Sequence, residues 1–556
     1  MNRTGVANAT ALLYCFIFPA LALAPLFTAK AFADYNPMMR PDARVDRFVQ
    51  RIYARYGLLP EGFHRQPMGI ADFAAFLDTL SKLPITVQER YAMDGLRGHL
   101  SLDKGLYGFR GDGGTDNSYG LIVNLDLTAN SWAWAGDGGD PRGGGSGVIN
   151  PQLRGHIGRL SFYSSLDVWT EYVYDSLFTR TSYEPYDGVP YELYGREAKA
   201  NGGNMRSSDL PRCGVVFDAG RLSLQAGIDY LRLGPAAHFP ITLSGGAPPI
   251  TYARGLFDLT YMEYHHTVGV LRSQKDKSKY IYANGLTGDF RDGLVQWGVS
   301  EVMVGGSATN QQDNDPINKL YPIHIGEEQG WEWAFFIPFV PMVFVEHYVG
   351  DKNNSALAFD VTLNWPKGFR FYAEFFLDDM LAPWKILSDD WGNKWAATLG
   401  AQYFTNWKGR DISAGLEASR VEPWVYTHVF GGSHRYDHFD KCLGSEMGPN
   451  TMAIAVSGDM SVTKKGTLGV RLTSLSSNPT VRGGKITDIF QYSDDPLERD
   501  SETKKFLGPG TTHCVRPGVY GYYDPLGLFR LNAGFDIDVA ENRGRAHFQL
   551  DGGFRF

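Results

Sequence analysis

The stretch ALAFDVTLNWPKGFRFYAEFFLD, residues 356–378, decides the fold that the sequence predicts. Apolar and polar side chains alternate in it on both sides of a short turn at residues 366–368. A period of two is typical of a β-strand with one buried face, and a short connection joins two such strands into an antiparallel hairpin. The polar face carries charges at Arg370, Glu374 and Asp378. The apolar face consists of Leu357, Phe359, Val361, Leu363, Phe371, Ala373, Phe375 and Leu377.

The same alternation recurs along the chain and predicts a large antiparallel sheet. From residue 356 onward we predict strands near 356–365, 369–378, 395–404, 412–421, 452–462, 466–474, 515–523, 528–540 and 545–556. Candidate strands in the first half are 118–128, 154–165, 166–176, 213–219, 221–232, 254–264, 279–286, 294–305 and 332–347. The predicted total is about 18 strands, within the range of transmembrane barrels.

Two environments can give every strand of a sheet one apolar face. In a soluble sandwich the apolar faces pack on each other, whereas in an outer-membrane barrel they face lipid and the polar faces line the lumen. The barrel is favoured because the polar faces are rich in charge and the strands are about ten residues long, which suits a tilted membrane span. The last strand also ends on Phe556, which resembles the terminal aromatic residue that barrel assembly machinery recognises. We therefore predict an all-β transmembrane barrel.

The connection lengths support a membrane barrel independently. Short turns, such as residues 366–368, alternate with long connections, such as 422–451 and 475–514. Outer-membrane barrels have short periplasmic turns and longer extracellular loops. If both ends of the barrel lie in the periplasm, an odd number of strands must precede residue 356, and the nine candidates satisfy this condition.

The first 33 residues are typical of a secretory signal. A positive charge at Arg3 precedes an apolar run over residues 11–27, and a small-x-small site ends at Ala33. This pattern predicts cleavage after Ala33. An uncleaved membrane anchor is the alternative, which two prolines inside the apolar run disfavour.

Residues 34–105 follow a helical rather than a two-residue period. Apolar residues recur there at three- and four-residue spacing in three stretches, joined by proline-containing turns. We predict a small bundle of three amphipathic helices that lies in the periplasm or plugs the barrel. The chain is therefore divided into a signal peptide at 1–33, a helical bundle at 34–105 and a barrel at 106–556.

Composition excludes several classes of function. After Ala33 no apolar run reaches the roughly 18 residues that a membrane helix needs. Removal of the signal takes the net charge from −8 to −10, which argues against a nucleic-acid partner. The remaining cysteines, Cys213, Cys442 and Cys514, are too few for a disulfide scaffold, although Cys442 and Cys514 could join two loops.

Several segments resemble the Wzi family of outer-membrane capsule assembly proteins. RVDRFVQRIYARYGLL and ADFAAFLDTL are similar to the family's N-terminal helices. YLRLGPAAHFPITLSGGAPPITYARG, residues 230–255, resembles its central segment, and LVQWGVSEVMVGG resembles a strand that follows. The resemblance implies a barrel with a periplasmic helical bundle that acts as a lectin and retains capsular or other surface polysaccharide on the cell without catalysing a reaction.

Candidate carbohydrate contacts come from aromatic residues near long loops and from the segment that resembles Wzi. Sugar rings stack on aromatic side chains while neighbouring polar groups bond the hydroxyls. We predict contacts from Trp132, Trp134, Tyr186, Arg232 and Ser244. The alternative for the rings is an interfacial girdle, and for Arg232 and Ser244 it is a structural role at a bend of the chain into the barrel.

The sequence lacks the common motifs of catalysis. The sequence has no GxSxG elbow, HExxH helix or GxxxxGK[ST] loop. His434 and His438 lie four residues apart in a loop, but we predict no metal site and no cofactor there. Inward carboxylates such as Asp167, Glu374 and Asp378 are ordinary in a polar lumen, so we predict no catalytic residue. We expect a monomer that contacts outer-membrane lipid, with a porin or solute channel as the alternative function.

Overall fold

The computed structural model describes residues 43–100, 107–111, 118–136, 142–174, 197–200, 203–272, 278–291, 293–307, 329–349, 353–491, 499–523, 529–540 and 543–555. The predicted signal peptide with its cleavage after Ala33, the predicted contact Tyr186 and the terminal Phe556 lie outside these residues.

The dominant element is a barrel of 18 antiparallel strands. The first nine are β1 Tyr119–Gly136, β2 Arg142–Ile157, β3 Leu160–Tyr174, β4 Gly203–Asp218, β5 Leu222–Asp229, β6 Ile250–Asp258, β7 Met262–Leu271, β8 Lys279–Phe290 and β9 Val295–Gly306. The other nine are β10 Asn354–Leu363, β11 Phe369–Asp379, β12 Lys394–Trp407, β13 Arg410–Val421, β14 Thr451–Thr463, β15 Gly466–Ser477, β16 Thr512–Tyr523, β17 Phe529–Ala540 and β18 Arg543–Arg555.

Each strand pairs with its neighbours in sequence, and the last pairs with the first. Strand β18 runs antiparallel to β1, with Arg555 opposite Asp126 and Arg545 opposite Gly136. Short strands at Tyr107–Gly111 and Glu197–Ala200 pair antiparallel with the first residues of β1 and β4. The fold class predicted from sequence is confirmed, with nine strands before residue 354 and nine from it onward.

The two faces of the wall differ as the alternation predicts. Phe359, Leu399 and Leu416 point outward and are exposed. Arg370 and Glu417 point inward and are almost completely buried. In a transmembrane barrel the outward apolar side chains face lipid, so the polar inner face must find partners inside the lumen.

The helices precede the barrel and pack against each other. Helices α1 Ala43–Tyr56, α2 Ile70–Ser81 and α3 Val87–Leu100 enclose an apolar core that includes Ile52, Phe73 and Leu80. A fourth helix, α4 Met342–Val349, follows a 3-10 helix at Trp333–Phe336, and a 3-10 turn occupies Pro383–Lys385. None of the helices that the structure describes is long and apolar enough to cross a membrane.

The helical bundle closes one end of the barrel. The Arg51 guanidinium lies 3.1 Å from the Asp411 carboxylate on the inner wall. The Tyr53 hydroxyl donates to the Gly293 carbonyl at 2.7 Å, and the Asn364 amide donates to the Tyr53 carbonyl at 2.7 Å. Gly293 and Asn364 lie in the short connections β8–β9 and β10–β11. We therefore call this end of the barrel the short-turn end and the opposite end the long-loop end.

The predicted strand at 332–347 is wrong. That segment forms the 3-10 helix and α4, not a strand. Pro338 and Pro341 lack backbone N–H groups and cannot continue a central sheet strand.

Other predicted boundaries also needed correction. Strand β7 was not predicted as a separate strand because the polar pair His265-His266 interrupts its alternation. The strand predicted to begin at residue 154 begins at Arg142, within a Gly-rich stretch. The hairpin turn predicted at 165–166 lies at 158–159. Glycines carry no side-chain periodicity, so the pattern gave no signal where β2 begins.

Candidate functional site

The connection between β5 and β6, residues 230–249, folds into the barrel, and we call it the lumen loop. Its backbone N–H groups from Ala236 to Ile241 all donate to two inward glutamates, Pro240 having none. Glu374 accepts from Ala236 at 2.7 Å and from Ile241 at 3.1 Å. Glu417 accepts from the three residues between, Ala237 at 3.0 Å, His238 at 3.1 Å and Phe239 at 2.5 Å.

Two arginines bind carbonyl oxygens of the same loop. Arg370 on β11 donates to the Pro235 carbonyl at 2.5 Å, and its guanidinium lies 4.2 Å from the centre of the Tyr372 ring. Arg232 donates to the Ala236 carbonyl and pairs with Asp46 of α1 at 2.8 Å. Hydrogen bonds with charged groups are about twice as strong as neutral ones, so these contacts hold the loop firmly across the lumen.

The helical bundle joins the lumen loop through a small inner sheet. Strand Arg65–Gln66 pairs with Arg232–Leu233, which pairs in turn with Leu243–Ser244. The peptide Gly234 N–H also donates to the His64 carbonyl at 3.0 Å. The bundle and the lumen loop therefore form one continuous structure inside the barrel.

A second connection, residues 422–450 between β13 and β14, covers the lumen loop from the long-loop end; we call it the upper loop. The Tyr426 hydroxyl donates to the Ile241 carbonyl at 2.7 Å and the Tyr436 hydroxyl to the Thr242 carbonyl at 2.8 Å. Burial raises the pKa of both phenols well above the ordinary value, so each stays a donor. Ser244 N donates to the Leu443 carbonyl at 2.7 Å.

The upper loop is also tied to the barrel wall. Lys279 at the start of β8 is fully buried, pairs with Asp437 and donates to the Gly432 carbonyl at 2.9 Å. Asn354 at the start of β10 donates to the His434 carbonyl at 2.9 Å. A buried ion pair that loses one partner leaves an uncompensated charge, which makes this arrangement of the loop costly to change.

Between the two loops, the lumen is filled with apolar side chains. Both loops and eight barrel strands, β6 to β13, contribute to this cluster. It includes Leu231, Leu243, Ile250, Tyr252, Ile281, Val302, Ala358, Phe376, Val421, Tyr426 and Leu443. A diffusion channel needs a polar, water-filled lumen, and this level of the barrel is instead packed like a protein core.

The loops above the upper loop form an ordered surface at the long-loop end. Trp391 stacks on Phe490 with ring centres 3.7 Å apart, and the Trp424 ring lies edge-on to Phe490 at 5.4 Å. Arg482 lies over Trp424 and binds both carboxylate oxygens of Asp500, at 2.8 and 2.7 Å. These contacts join residues 380–393, 422–450, 478–491 and 499–511 into one layer.

This surface offers the groups that carbohydrate binding requires. Trp384, in the 3-10 turn before β12, is 84% exposed, and Arg482 is also exposed. An exposed indole can stack on the apolar face of a sugar, and a guanidinium can donate to its hydroxyl or carboxylate oxygens. Neither residue was among the contacts predicted from the sequence, although the position of a tryptophan in a long loop could have indicated Trp384.

The predicted contacts lie in two separate parts of the barrel. The backbone of Trp132 and Trp134 lies in β1 near the long-loop end, opposite Gln549 and His547 of β18. Arg232 and Ser244 lie in the lumen loop; the Ser244 hydroxyl donates to the Leu443 carbonyl at 3.1 Å and accepts from Gly246 N at 3.1 Å. The structure does not bring these two groups into one site, and their role in carbohydrate binding stays a prediction.

The inward carboxylates have structural partners. Asp167 accepts from the Asn150 amide at 2.6 Å, and Asp378 accepts from Tyr426 N at 2.7 Å. Asp378 thus holds chain inside the barrel, as Glu374 and Glu417 do, whereas Asp167 joins the side chains of two adjacent wall strands. The alternation of the sequence placed Glu374 and Glu417 inward, but it contained no sign of the backbone that they bind.

The two histidines at four-residue spacing are both engaged by protein groups. The His438 ring accepts from Arg272 N at 3.0 Å and contacts the Pro249 carbonyl at 3.3 Å, while His434 contacts the Ser433 hydroxyl at 3.0 Å. Burial lowers the pKa of His438 to about 3. Within the described ranges no three His, Cys, Asp or Glu side chains are grouped to hold a metal ion. The suggested bridge between Cys442 and Cys514 is not present, since both are thiols.

A cavity of about 400 Å³ lies at the short-turn end, between the bundle and the wall. Acidic and basic side chains line it, among them Glu61, His64, Arg65 and Asp360. Burial lowers the pKa of His64 well below its ordinary value and that of Arg65 to about 10. The lumen loop forms part of its lining, and so separates it from the long-loop surface.

These features define a transmembrane β-barrel of the outer-membrane type, crossed inside by its own chain at three levels. Among solved structures it is similar to Wzi of Escherichia coli, an outer-membrane protein involved in group 1 capsule assembly and a carbohydrate-binding β-barrel. The TM-score is 0.57 and the identity 12%, over 94% of this chain and 99% of that chain. At this identity the similarity shows a common fold.

Two further solved structures are similar at lower scores, both from Pseudomonas aeruginosa. OpdK, solved with vanillate, has a TM-score of 0.43 and 10% identity over 78% of this chain and 98% of that chain. OprD has a TM-score of 0.40 and 11% identity over 78% of this chain and 94% of that chain. No protein-family description and no curated protein sequence matches the chain.

Proposed function

We propose that this chain is an outer-membrane protein that binds and retains capsular or other surface polysaccharide at its long-loop end, without catalysing a reaction. The observation that carries the proposal is the filled lumen beneath an ordered aromatic and charged surface. A barrel closed in this way is suited to holding a ligand on its outside. The proposal includes the resemblance to Wzi, a cell-surface location and a monomeric state.

The inner carboxylates support a non-catalytic role. An acid or base catalyst must be within reach of a substrate proton. Glu374, Glu417 and Asp378 instead accept backbone N–H groups of the lumen and upper loops. Their hydrogen bonds are directed at the protein itself.

A porin or solute channel is the competing function, and conductance separates the two. The purified protein, inserted into a planar lipid bilayer, should be nearly silent if it is a closed binding protein. Steady ohmic conductance in every insertion would contradict the proposal. In cells, deletion of the gene should move surface polysaccharide from the cell-bound to the released fraction at unchanged total.

An exposed tryptophan provides a residue-level test. We expect Trp384→Ala to weaken binding of the purified protein to the cell's own surface polysaccharide by roughly 10-fold, as loss of one stacking contact predicts. The matched control is Trp407→Ala, because Trp407 is 57% exposed and ends β12 at the short-turn end. Equal affinity of both variants and the wild type would remove Trp384 from the site.

A further inference from the structure

Part of the connection between β9 and β10 lies on the outside of the barrel. Residues 329–349, which we call the outer segment, include the 3-10 helix and α4. Their buried side chains pack on Val268, Tyr282 and Met303. These three residues alternate with inward residues of the lumen core such as Ile281 and Val302, so they point to the lipid-facing side.

The outer segment packs on this wall through aromatic contacts. The Trp331 ring lies 4.3 Å from that of Tyr280, and Phe335 lies 5.0 Å from Tyr282. Phe335 and Met342 are almost completely buried against the wall. The segment is therefore an integral part of the structure and not a strand that projects into solvent.

The wall also supplies polar groups to the bend between the 3-10 helix and α4. Phe339 N donates to the Tyr264 hydroxyl at 2.8 Å, and the Asn284 amide donates to the Val340 carbonyl at 3.2 Å. Met342 N donates to the Glu301 carboxylate at 2.6 Å. Polar side chains on an outward barrel face are otherwise unfavourable at membrane depth.

The position of this bend indicates how deep it lies. Asn284 is the sixth residue of β8, counted from Lys279 at the long-loop end. Five steps along a strand cover ~17 Å, which a tilt of ~40° reduces to ~13 Å along the membrane normal. The apolar band of an outer-membrane barrel is ~25 Å tall, so the bend reaches about its middle.

Irregular backbone at this depth needs internal hydrogen-bond partners. Hydrocarbon supplies none, and such backbone is found only where protein or water satisfies it. Tyr264, Asn284 and Glu301 meet this requirement for the bend. Apart from His347, the face of the segment that points away from the wall is apolar and aromatic, with Phe344 67% and Tyr348 88% exposed, and with Trp333 and Ile337 half exposed.

We propose that the outer segment is a re-entrant element embedded in the long-loop half of the bilayer, where its outward face contacts lipid acyl chains. Tyr264, Asn284 and Glu301 form a polar clamp that holds its bend against the barrel wall. Lipid is the partner because the bend lies near the bilayer midplane and its exposed side chains are apolar and aromatic. This inference is independent of polysaccharide binding.

Spin labelling tests the contact with lipid. A label on Phe344→Cys, in a background with Cys213, Cys442 and Cys514 replaced by alanine, is studied in vesicles of phosphatidylcholine and phosphatidylglycerol. Leu399→Cys, at an outward position that is 62% exposed in β12, gives the lipid reference, and Glu502→Cys in an exposed loop gives the water reference. We expect the Phe344 label, like the Leu399 label, to collide more often with oxygen than with a water-soluble nickel complex.

Two results would overturn the proposal. A collision ratio like that of Glu502→Cys would place the segment in water. Low accessibility to both reagents would mean that a second copy or another protein covers the face instead of lipid. Correct folding of each variant is checked by the shift between heated and unheated samples on gels.

Hydrogen exchange tests the polar clamp. Glu301→Leu removes the acceptor of Met342 N, whereas Glu301→Gln keeps an amide oxygen at that position and serves as the matched control. Loss of a hydrogen bond to a charged group predicts exchange of the 339–345 peptide that is roughly 10- to 100-fold faster in Glu301→Leu, with a smaller change in Glu301→Gln. Wild-type protection in Glu301→Leu would refute the clamp.

Discussion

Glutamate-to-glutamine substitution at residue 417 should release the lumen loop while leaving the barrel intact. In the wild type, one carboxylate accepts the N–H groups of Ala237, His238 and Phe239 and the hydroxyl of Tyr372. A glutamine has nearly the same shape but keeps only one acceptor oxygen. Its amide group would point hydrogens at donors that lie deep inside the barrel.

The size of the effect follows from the number of bonds lost. Each hydrogen bond to a charged group contributes about 1.5–3 kcal/mol, and even a glutamine that keeps its oxygen at the Oε2 position leaves Phe239 N without an acceptor. The closed loop should therefore lose at least about 1.5–3 kcal/mol relative to an open one. Every 1.4 kcal/mol changes an equilibrium tenfold, so opening should become at least about 10-fold more frequent. The strand ladder on either side of residue 417 is unchanged, so the barrel should remain folded.

Two assays report on the opening. Hydrogen exchange measured by mass spectrometry should be faster for the peptide that spans residues 235–241 in Glu417→Gln than in the wild type. In planar bilayers the same variant should show brief conducting events. The matched control is Glu502→Gln, whose side chain lies exposed in a loop beside Arg499.

Unchanged exchange at residues 235–241 in Glu417→Gln would refute the role assigned to the carboxylate. Faster exchange without any conducting events would show that the lumen loop opens but that the upper loop alone closes the barrel. Comparison with Glu374→Gln, which affects Ala236 and Ile241, tells whether the two glutamates act together.

Three further predictions concern the loops, the bundle and the thiols. Burial lowers the pKa of His438 to about 3, whereas an imidazole in an unfolded loop titrates near 6.5. As pH falls, the unfolded upper loop therefore binds a proton that the folded loop does not bind, and the folded loop should lose about 2 kcal/mol of stability at about pH 5. Limited proteolysis should show this loss, and His438→Asn should reduce it. Asp411→Asn should weaken docking of the helical bundle by about 2–4 kcal/mol and expose residues 43–100 to protease, whereas Asp78→Asn, at an exposed pair inside the bundle, should not. Because Cys442 is a free thiol, unfolding without reductant followed by alkylation should modify it fully. In the folded protein the same thiol should react slowly, because burial raises its pKa.

The barrel could be predicted from local pattern because every strand meets the same two environments. Phe359 and Asp360 are neighbours in the chain, yet one faces lipid and the other the lumen. That requirement acts on each strand separately and leaves its two-residue period in the sequence. The alternation of short and long connections after residue 354 followed from the same signal, whereas the predicted number of strands agreed only because the missed β7 offset the wrong strand at 332–347.

Segments outside the strand pattern were harder to predict. The outer segment was predicted as a strand because its apolar composition fits a membrane, and Pro338 and Pro341 were the local evidence against a strand. Some of its apolar side chains contact the barrel wall, and others are exposed on the opposite side of the segment. Composition reports that a side chain is apolar, but not which of these surroundings makes it so.

The amino-acid sequence was sufficient for the barrel, its two faces and the helices that precede it, because these depend on the spacing of neighbouring residues. The closure of the lumen was decided only by tertiary structure. Glu374 and the amide that it binds at Ala236 are 138 residues apart, and their meeting depends on where a loop re-enters the barrel. A periodic pattern identifies the face on which a carboxylate lies, but the chain that fills the space in front of it comes from distant sequence.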